Sequence, residues 1–288
     1  MTARADVFKA ALWMSGAIAS FTSMAVAGRA ISFELDTFEI MMYRSFVGIC
    51  IVLAVAVGSG TLNQIHKRNI RLHLIRNLCH FTGQNLWFFA ITVIPLAQVF
   101  ALEFTSPLWV VVLSPLLLGE RITPIRATGA MIGFIGILIV ARPTAGTLEF
   151  GQVAAAMTAI AFACTAIFTR KLTRTETVIS ILFYLTVMQA VFGMICAGID
   201  GDVTLPSGQS LPWLVLIGCA GLFAHFCLTT ALSLAPAGVV MPIDFTRLPI
   251  IAVVGMLFYG EMIDIWVVVG ALVIFAGNYL NIWGETRR

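Results

Sequence analysis

Long apolar runs constrain this chain more than any other feature. The sequence contains ten stretches of mostly apolar residues, each close to the length of about 20 residues that an α-helix needs to cross about 30 Å of hydrocarbon. Only 11% of the 288 residues are charged and 60% are hydrophobic, which excludes an ordinary soluble enzyme, a disordered chain and a nucleic-acid-binding domain. The predicted spans are 10–28, 37–57, 72–92, 97–118, 125–141, 152–169, 178–198, 211–232, 238–259 and 263–283.

Helices are the only structure that such unbroken runs can form in a bilayer. A membrane β-barrel would instead show segments of about ten residues with alternating hydrophobicity. The sequence therefore predicts an all-α polytopic membrane protein of ten transmembrane helices with short loops and no soluble domain. The third span is the least apolar, because His73, Arg76 and His80 lie within it.

The positions of the basic residues predict the orientation. If the N-terminus is cytoplasmic, twelve of the 17 Lys and Arg residues lie in segments on the cytoplasmic side and only Arg29 and Arg142 lie on the opposite side. By the positive-inside rule, both termini are then cytoplasmic and the protein spans the cytoplasmic, or inner, membrane. The remaining three, Arg44, Arg76 and Arg247, fall inside predicted spans.

The chain also matches itself at an offset of 141 residues. The segment Pro95–Thr105 aligns without gaps with Pro236–Thr246, and Gly119-Glu120 aligns with Gly260-Glu261. Each half contains five predicted spans, an odd number, so the second half enters the bilayer from the opposite side. The sequence therefore predicts two inverted five-helix repeats, residues 1–146 and 147–288. Inverted repeats are typical of secondary transporters, whose substrate sites lie near the midplane between the halves.

Several local motifs resemble one known family. They are Phe38-Glu39 to Tyr43-Arg44, His73-Leu-Ile-Arg76, Ser106-Pro107-Leu108, Leu118-Gly119-Glu120 and Gly133 to Gly136. With two five-helix repeats, they resemble the ten-helix EamA-type members of the drug/metabolite transporter superfamily over nearly the whole chain. The most similar branch includes S-adenosylmethionine-uptake-like and riboflavin-transporter-like proteins. The resemblance implies a central cavity lined by the third, fourth, eighth and ninth helices. It also implies that the fifth and tenth helices pack or form a homodimer.

Charged side chains inside spans are the first candidates for function, because burying an ionisable group in the membrane is costly. Glu103 and Asp244 occupy equivalent positions of the two repeats. We expect both to line the transport pathway and one of them to titrate during transport, which would couple transport to protons. The alternative is a structural carboxylate paired with a neighbouring side chain. Arg247, three residues after Asp244, either binds a substrate carboxylate or phosphate or neutralises Asp244.

The third helix carries a second group of candidates. His73, Arg76 and His80 share one helical face, and His80 is the deeper histidine, so we expect it to reach the cavity. Arg76 either lines the cavity or snorkels to the cytoplasmic interface. Arg44 is expected to pair across helices. No carboxylate or Cys joins this face at ligand spacing, so no metal site is predicted. Further hydrogen-bonding and stacking candidates are Asn85, Trp87, Phe104 and His225.

Prolines interrupt the two helices that carry the buried carboxylates. Because proline removes a backbone hydrogen bond, these residues predict kinks that suit gating helices, although proline is also tolerated in ordinary membrane helices. The four residues are Pro107, Pro115, Pro242 and Pro249. Glu120 and Glu261 each follow a glycine at a predicted helix end. We interpret both as structural, with the glycine ending one helix and the glutamate favouring the N-terminus of the next.

These features together predict a secondary transporter that moves a small polar or amphipathic metabolite by alternating access. Riboflavin, S-adenosylmethionine and amino-acid-like compounds are the substrates suggested by the resemblance, and no cofactor or nucleic acid is expected. An exporter of the same fold is an open alternative, because the family includes both importers and exporters. An intramembrane enzyme is disfavoured, since the sequence has no H-E-x-x-H, G-x-S-x-G or P-loop motif. A membrane scaffold would need neither the repeat nor the buried charges.

Overall fold

The computed structural model describes residues 2–118, 124–142, 149–172, 174–199, 201–234, 243–244 and 246–286, and these residues contain helices and no β-strand. A single 3₁₀ turn, Leu62–Gln64, precedes the third helix. The α-helices are α1 (Thr2–Ile31), α2 (Thr37–Gly58), α3 (Ile70–Val93), α4 (Leu96–Glu103), α5 (Ser106–Leu118), α6 (Pro124–Ala141), α7 (Phe150–Leu172), α8 (Val178–Ala197), α9 (Leu211–Leu234), α10 (Arg247–Tyr259) and α11 (Ile265–Thr286).

Six stretches of helix among the described residues are long and apolar enough to cross a membrane. They are Phe8–Ile31, Thr37–Gly58, Leu96–Leu113, Phe150–Thr169, Val178–Ala197 and Leu211–Leu228. Helix α3 is as long as these but carries Arg71, His73, Arg76 and His80, which lower its hydropathy. The predicted class, an all-α polytopic membrane protein, is confirmed.

The fourth predicted span is broken in the middle. Helix α4 ends at Glu103 and α5 begins at Ser106, with a turn at Phe104 and Thr105. The backbone N–H of Thr105 donates to Leu102 O at 3.1 Å, and the Thr105 hydroxyl donates to the same oxygen at 2.7 Å. The break thus satisfies part of its backbone locally, as a membrane interior requires.

The same turn occurs 141 residues later. The N–H and the hydroxyl of Thr246 donate to Ile243 O at 3.1 and 2.8 Å, just before α10 begins at Arg247. These atoms are the repeat equivalents of those at the first break. Thr105 and Thr246 therefore make the same hydrogen bonds at equivalent places of the two halves.

The described prolines of the predicted gating helices differ in their positions within the helices. Pro107 and Pro249 stand in the first turns of α5 and α10, where a missing N–H leaves no intrahelical bond unmade. Pro115 lies inside α5, which continues past it. Pro242 lies outside the described residues.

Helices of the two halves are paired throughout the described part of the chain. The most extensive pairs are α6 with α11, α1 with α9, α3 with α7 and α2 with α8. Each pair joins a helix of the first half to a helix of the second. The halves therefore share one interior, in which the largest fully buried side chains include Trp87, Phe88 and Phe100.

Helices α6 and α11 cross in close contact at glycines. A Cβ at Gly277 would lie 2.6 Å from Gly129 O and 2.8 Å from Gly133 N, and a Cβ at Gly136 would lie 2.8 Å from Gly270 O. Small residues at such crossings let membrane helices approach backbone to backbone. The fifth and tenth predicted spans thus pack against each other within one chain.

We expect Gly277→Ala to lower the free energy of unfolding by about 1–3 kcal/mol, because the two backbones must separate to admit the methyl group. Thermal unfolding of the purified protein in detergent measures this effect. Gly58→Ala is the matched control, since a Cβ there meets nothing within 4 Å. Alanine at Gly58 should be neutral or slightly stabilising. Equal stability of the two variants would contradict the role of this crossing.

Two loops meet on the side of the membrane where α1 ends, here called the Arg29 side after the last basic residue of α1. The Glu34 carboxylate accepts hydrogen bonds from the Ser210 hydroxyl, from Ser207 N at 2.6 Å and from the Ser207 hydroxyl at 2.9 Å. These bonds, led by that of Ser210, lower the pKa of Glu34 below its ordinary value of 4.5. The charged carboxylate therefore fastens the α1–α2 loop to the α8–α9 loop.

We expect Glu34→Gln to speed amide exchange at Ser207 when compared with the unmodified protein at pH 7. Because the pKa of Glu34 is lowered by folding, this attachment is fully present above pH 4.5 and is lost as the pH falls through the folded pKa. The difference between the two proteins should therefore vanish at acid pH. Hydrogen exchange followed by mass spectrometry over a descending pH series tests this, and a difference that stays constant down to the lowest pH at which the protein remains folded would refute the assignment.

Candidate functional site

A buried arginine links the two halves of the chain at the broken helices. Arg247 Nη2 lies 3.2 Å from Glu103 Oε1 and 3.2 Å from Asp244 Oδ2. The second oxygen of Glu103 accepts a hydrogen bond of 2.8 Å from Trp87 Nε1. These four residues form the Arg247 cluster. The pair with Asp244 is one of the two alternatives that the sequence left open for Arg247, and the contact with Glu103 joins this pair to the first half.

Aromatic rings enclose the Arg247 guanidinium. Its Cζ lies 4.8 Å from the Phe21 ring centroid, 5.0 Å from that of Phe100 and 4.9 Å from that of Phe104. Cation–π attraction of this kind is strongest where water is excluded. Asn278 of α11 donates to Phe104 O at 2.8 Å, which satisfies a carbonyl at the helix break. The cation is thus held by residues from both halves.

A second polar group lies around α3. Arg76, His80 and Gln84 follow one another at four-residue spacing on one face of this helix. Gln84 Oε1 accepts from Arg44 Nη1 of α2 at 3.3 Å, and His80 Nδ1 lies 3.0 Å from Gln189 Nε2 of α8. The rings of His80 and His225 are 5.9 Å apart. We call these residues the basic cluster: Arg44, Arg76, His80, Gln84, Gln189 and His225.

Arg76 does not snorkel to the interface. Its side chain is buried and points into the bundle, where Nε donates to Thr169 Oγ1 at 3.1 Å and Nη1 donates to Asn77 Oδ1 at 2.7 Å. The snorkelling alternative is wrong because the Arg76 side chain is only 4% exposed and contacts Thr169 of α7 instead of reaching the protein surface.

The structure brings most predicted site residues into these two clusters. Phe21 lies between them, since its ring is 5.9 Å from that of His225 and also contacts Arg247. Asn85 joins neither cluster: its Nδ2 donates to Phe81 O of its own helix at 2.8 Å. The sequence analysis did not select Phe21, Gln189 or Asn278. Gln189 could have been selected from the sequence, because it is the only amide side chain in the predicted span 178–198.

A third network, formed by the contacts of Arg29, lies on the Arg29 side. Arg29 forms an ion pair with Glu261 and donates to Ile91 O and, at 2.8 Å, to Ile94 O. Its Cζ lies 4.6 Å from the Tyr259 ring centroid. Helix α1 and the end of α3 are thereby tied to the end of α10, that is, the first half to the second.

Glu261 has a structural contact, but not with the helix that follows it. Gly260 ends α10 in the left-handed conformation (φ 65°), as predicted for this glycine. Glu261 Oε2 then accepts the N–H of Leu96, at the N-terminus of α4 in the first half, at 2.9 Å. The expectation that it favours the next helix is wrong, because α11 begins only at Ile265 and the carboxylate turns back toward Arg29. Gly119-Glu120 lies outside the described residues.

The chain is a polytopic helical protein whose two halves share one interior, and this interior contains paired charges. Such an architecture is typical of membrane transport proteins. Comparison with known families agrees with this class. The profile of the EamA-like transporter family matches residues 8–142 and again residues 149–283. The chain belongs to the EamA-like transporter family.

Characterised relatives are similar over most of their length. An S-adenosylmethionine uptake transporter of Rickettsia felis is 26% identical over 275 residues, covering 96% of this chain and 92% of the relative. A riboflavin transporter of Brucella anthropi is 29% identical over 247 residues, covering 84% and 86%. A riboflavin transporter of Vibrio cholerae is 25% identical, covering 100% and 97%. One protein crystal structure with 18% identity aligns at a TM-score of 0.66, covering 96% of this chain and 98% of the other, and supports the fold.

Proposed function

We propose that this member of the EamA-like family moves a small polar or amphipathic metabolite across the cytoplasmic membrane by alternating access. The observation that carries the proposal is the Arg247 cluster, in which Glu103 of one half and Asp244 of the other share one buried cation beside two broken helices. Charges are kept inside a membrane protein at a cost, and a substrate or ion pathway is their usual reason. S-adenosylmethionine and riboflavin, named for the relatives, are the first compounds to test.

Alternating access rests on the two halves, residues 1–146 and 147–288, being inverted repeats. The helix pairing supports this arrangement. An exchange of the halves maps the pair α1–α9 onto α7–α3, and it maps α2–α8 and α6–α11 onto themselves. The equivalent turns at Thr105 and Thr246 follow the same exchange. In this arrangement two alternative conformations arise when the halves swap their local structures.

We place both termini in the cytoplasm, from the distribution of basic residues. The Arg29 side is then the external side, and the network of Arg29, Glu261 and Tyr259 is its closure. The side chains of Glu103 and Asp244 lie between this closure and the cytoplasm. A carboxylate that exchanges Arg247 for a proton during the cycle would couple transport to the proton gradient.

Reconstitution into proteoliposomes tests the function. We expect saturable flux of radiolabelled S-adenosylmethionine or riboflavin above that of empty liposomes, and faster flux when a proton gradient is imposed. The direction of net accumulation under the gradient separates an importer from an exporter. Glu103→Gln with Asp244→Asn should remove the dependence on the gradient. Flux that is absent for every metabolite tested, in protein that remains folded, would refute transport.

A further inference from the structure

Two buried guanidinium groups of the basic cluster have no carboxylate partner among the residues that the structure describes. Arg44 is 9% exposed and Arg76 is 4% exposed. Their hydrogen-bond acceptors are the neutral side chains of Met24, Gln84, Asn77 and Thr169. The ion pairs of the described part of the chain involve Arg29, Arg142 and Arg247 instead. The two positive charges are thus left uncompensated by the described protein.

Such an arrangement is costly in a membrane interior. A buried charge is normally paired, as Arg247 is here with two carboxylates. His80 follows Arg76 by four residues on the same face of α3, and His225 lines one cavity with Arg44, so both imidazole rings lie in the same region as the two guanidinium groups. The described side chains do not offset this cost, whereas an anion bound in this region would.

The Arg44 guanidinium borders a small cavity between α2, α8 and α9. Its volume is about 20 Å³, room for about one water molecule, and its wall includes Arg44, Thr186, Gln189, Gly221 and His225. A Cβ at Gly221 would lie 3.9 Å from Arg44 Nη2, so this edge of the guanidinium faces α9 across the cavity. Gln189 is 1% exposed, and its Oε1 has no hydrogen-bond partner in the described part of the chain. The unpartnered atom on this wall is thus an amide oxygen, which accepts a hydrogen bond from a donor group of a ligand rather than from an oxyanion.

We propose that the basic cluster binds an oxyanion group of the transported metabolite, a carboxylate or a phosphate, with Arg44 as the direct contact and Arg76 as a second positive charge behind it. The proposal rests on the transport function proposed above and adds the substrate class. A planar guanidinium recognises either oxyanion through paired hydrogen bonds. Since the volume of the cavity in this conformation is only about 20 Å³, α2, α8 and α9 must separate to admit the group.

Binding of small anions to the purified protein in detergent tests the subsite directly. We expect benzoate or phosphate, at constant ionic strength in sodium chloride, to raise the melting temperature with saturation, because a ligand of the folded state stabilises it. Benzamide, the neutral analogue of benzoate, should not. Stabilisation by benzoate alone identifies a carboxylate subsite and stabilisation by phosphate alone a phosphate subsite. Stabilisation by neither, or equally by benzamide, overturns the proposal.

Substitution of the two arginines tests where the anion binds. Arg44→Gln should raise the half-saturating anion concentration at least about tenfold, as expected when a charge-assisted contact is lost. It should also raise the melting temperature without anion, because it removes an uncompensated buried charge. Arg71→Gln is the matched control: it lies on α3 as Arg76 does, but is exposed. Anion binding that survives both Arg44→Gln and Arg76→Gln lies elsewhere and overturns the proposal.

Matched metabolites separate this inference from transport itself. S-adenosylmethionine and its decarboxylated form differ in one carboxylate, and riboflavin phosphate and riboflavin differ in one phosphate. We expect flux in proteoliposomes for the member of a pair that carries the carboxylate or phosphate, and at least tenfold slower flux for the other. If the neutral or decarboxylated member crosses equally well, the subsite is wrong and transport stands. If anions bind through Arg44 but no metabolite crosses, the subsite stands and the transport proposal fails.

Discussion

We expect Arg247→Met to abolish transport and to lower the free energy of unfolding by about 3–5 kcal/mol. The substitution leaves Glu103 and Asp244 buried without the cation that both contact at 3.2 Å. Methionine keeps much of the length of the arginine stem, so packing against Phe21, Phe100 and Phe104 is largely retained. The loss of stability therefore reports charge rather than a cavity. Chemical unfolding in detergent and flux in proteoliposomes measure the two effects.

Removing the carboxylates as well distinguishes charge from packing. The variant Arg247→Met, Glu103→Gln, Asp244→Asn has no uncompensated charge in the cluster and should recover most of the lost stability while remaining inactive. Arg68→Met, at an exposed position before α3, should change stability by less than about 0.5 kcal/mol. If the triple variant is as unstable as Arg247→Met alone, the carboxylates are not what Arg247 stabilises.

The sequence predicted the features that depend on local pattern. Apolar runs of membrane-spanning length predicted the helices, and the gapless match of Pro95–Thr105 with Pro236–Thr246 predicted equivalent structure in both halves. The observed turns at Thr105 and Thr246 have the same hydrogen bonds. The spacing of Asp244 and Arg247 also offered their ion pair as one of two alternatives for Arg247, because residues three apart share a helical face.

Local sequence patterns did not predict the contacts between segments that are far apart in the chain. Arg29 pairs with Glu261, 232 residues later, and Glu103 meets Arg247 across the two halves. Sequence spacing cannot show which helices become neighbours, or how each is rotated about its axis. For the same reason the orientation of Arg76 stayed open between cavity and interface, and Gln189 was not recognised as a partner of His80.

The packing of α3 also explains why the third predicted span is the least apolar of the ten. Its polar residues lie on the faces of α3 that contact α2, α7 and α8 in the described structure. A hydropathy window averages these faces with the apolar ones. Buried polar groups thus lower the mean hydropathy of the helix on which they lie, and a hydropathy search detects that helix less readily.

The second large effect is expected at the Arg29 closure. Arg29→Met and Glu261→Gln should each shift the protein toward a conformation open on the Arg29 side, because Glu261 of the second half contacts Arg29 and the Leu96 N–H of the first half only while that side is closed. A partly buried pair with such hydrogen bonds is worth about 2 kcal/mol or more, which corresponds to a population shift of at least about tenfold. Transport should slow because the return to the closed state becomes unfavourable.

Accessibility to a thiol reagent measures this shift. Ser106→Cys, in a background without the six native cysteines, places a thiol at the helix break about ten residues beyond the start of α4. Its reaction with a membrane-impermeant reagent applied from the Arg29 side should accelerate at least about tenfold in Arg29→Met and Glu261→Gln. Arg142→Met breaks a half-exposed ion pair with Asp264 on the same side and should change the rate little. If all three variants react at the unmodified rate, Arg29 and Glu261 stabilise the fold without controlling access, and the closure must be sought in other contacts between the halves.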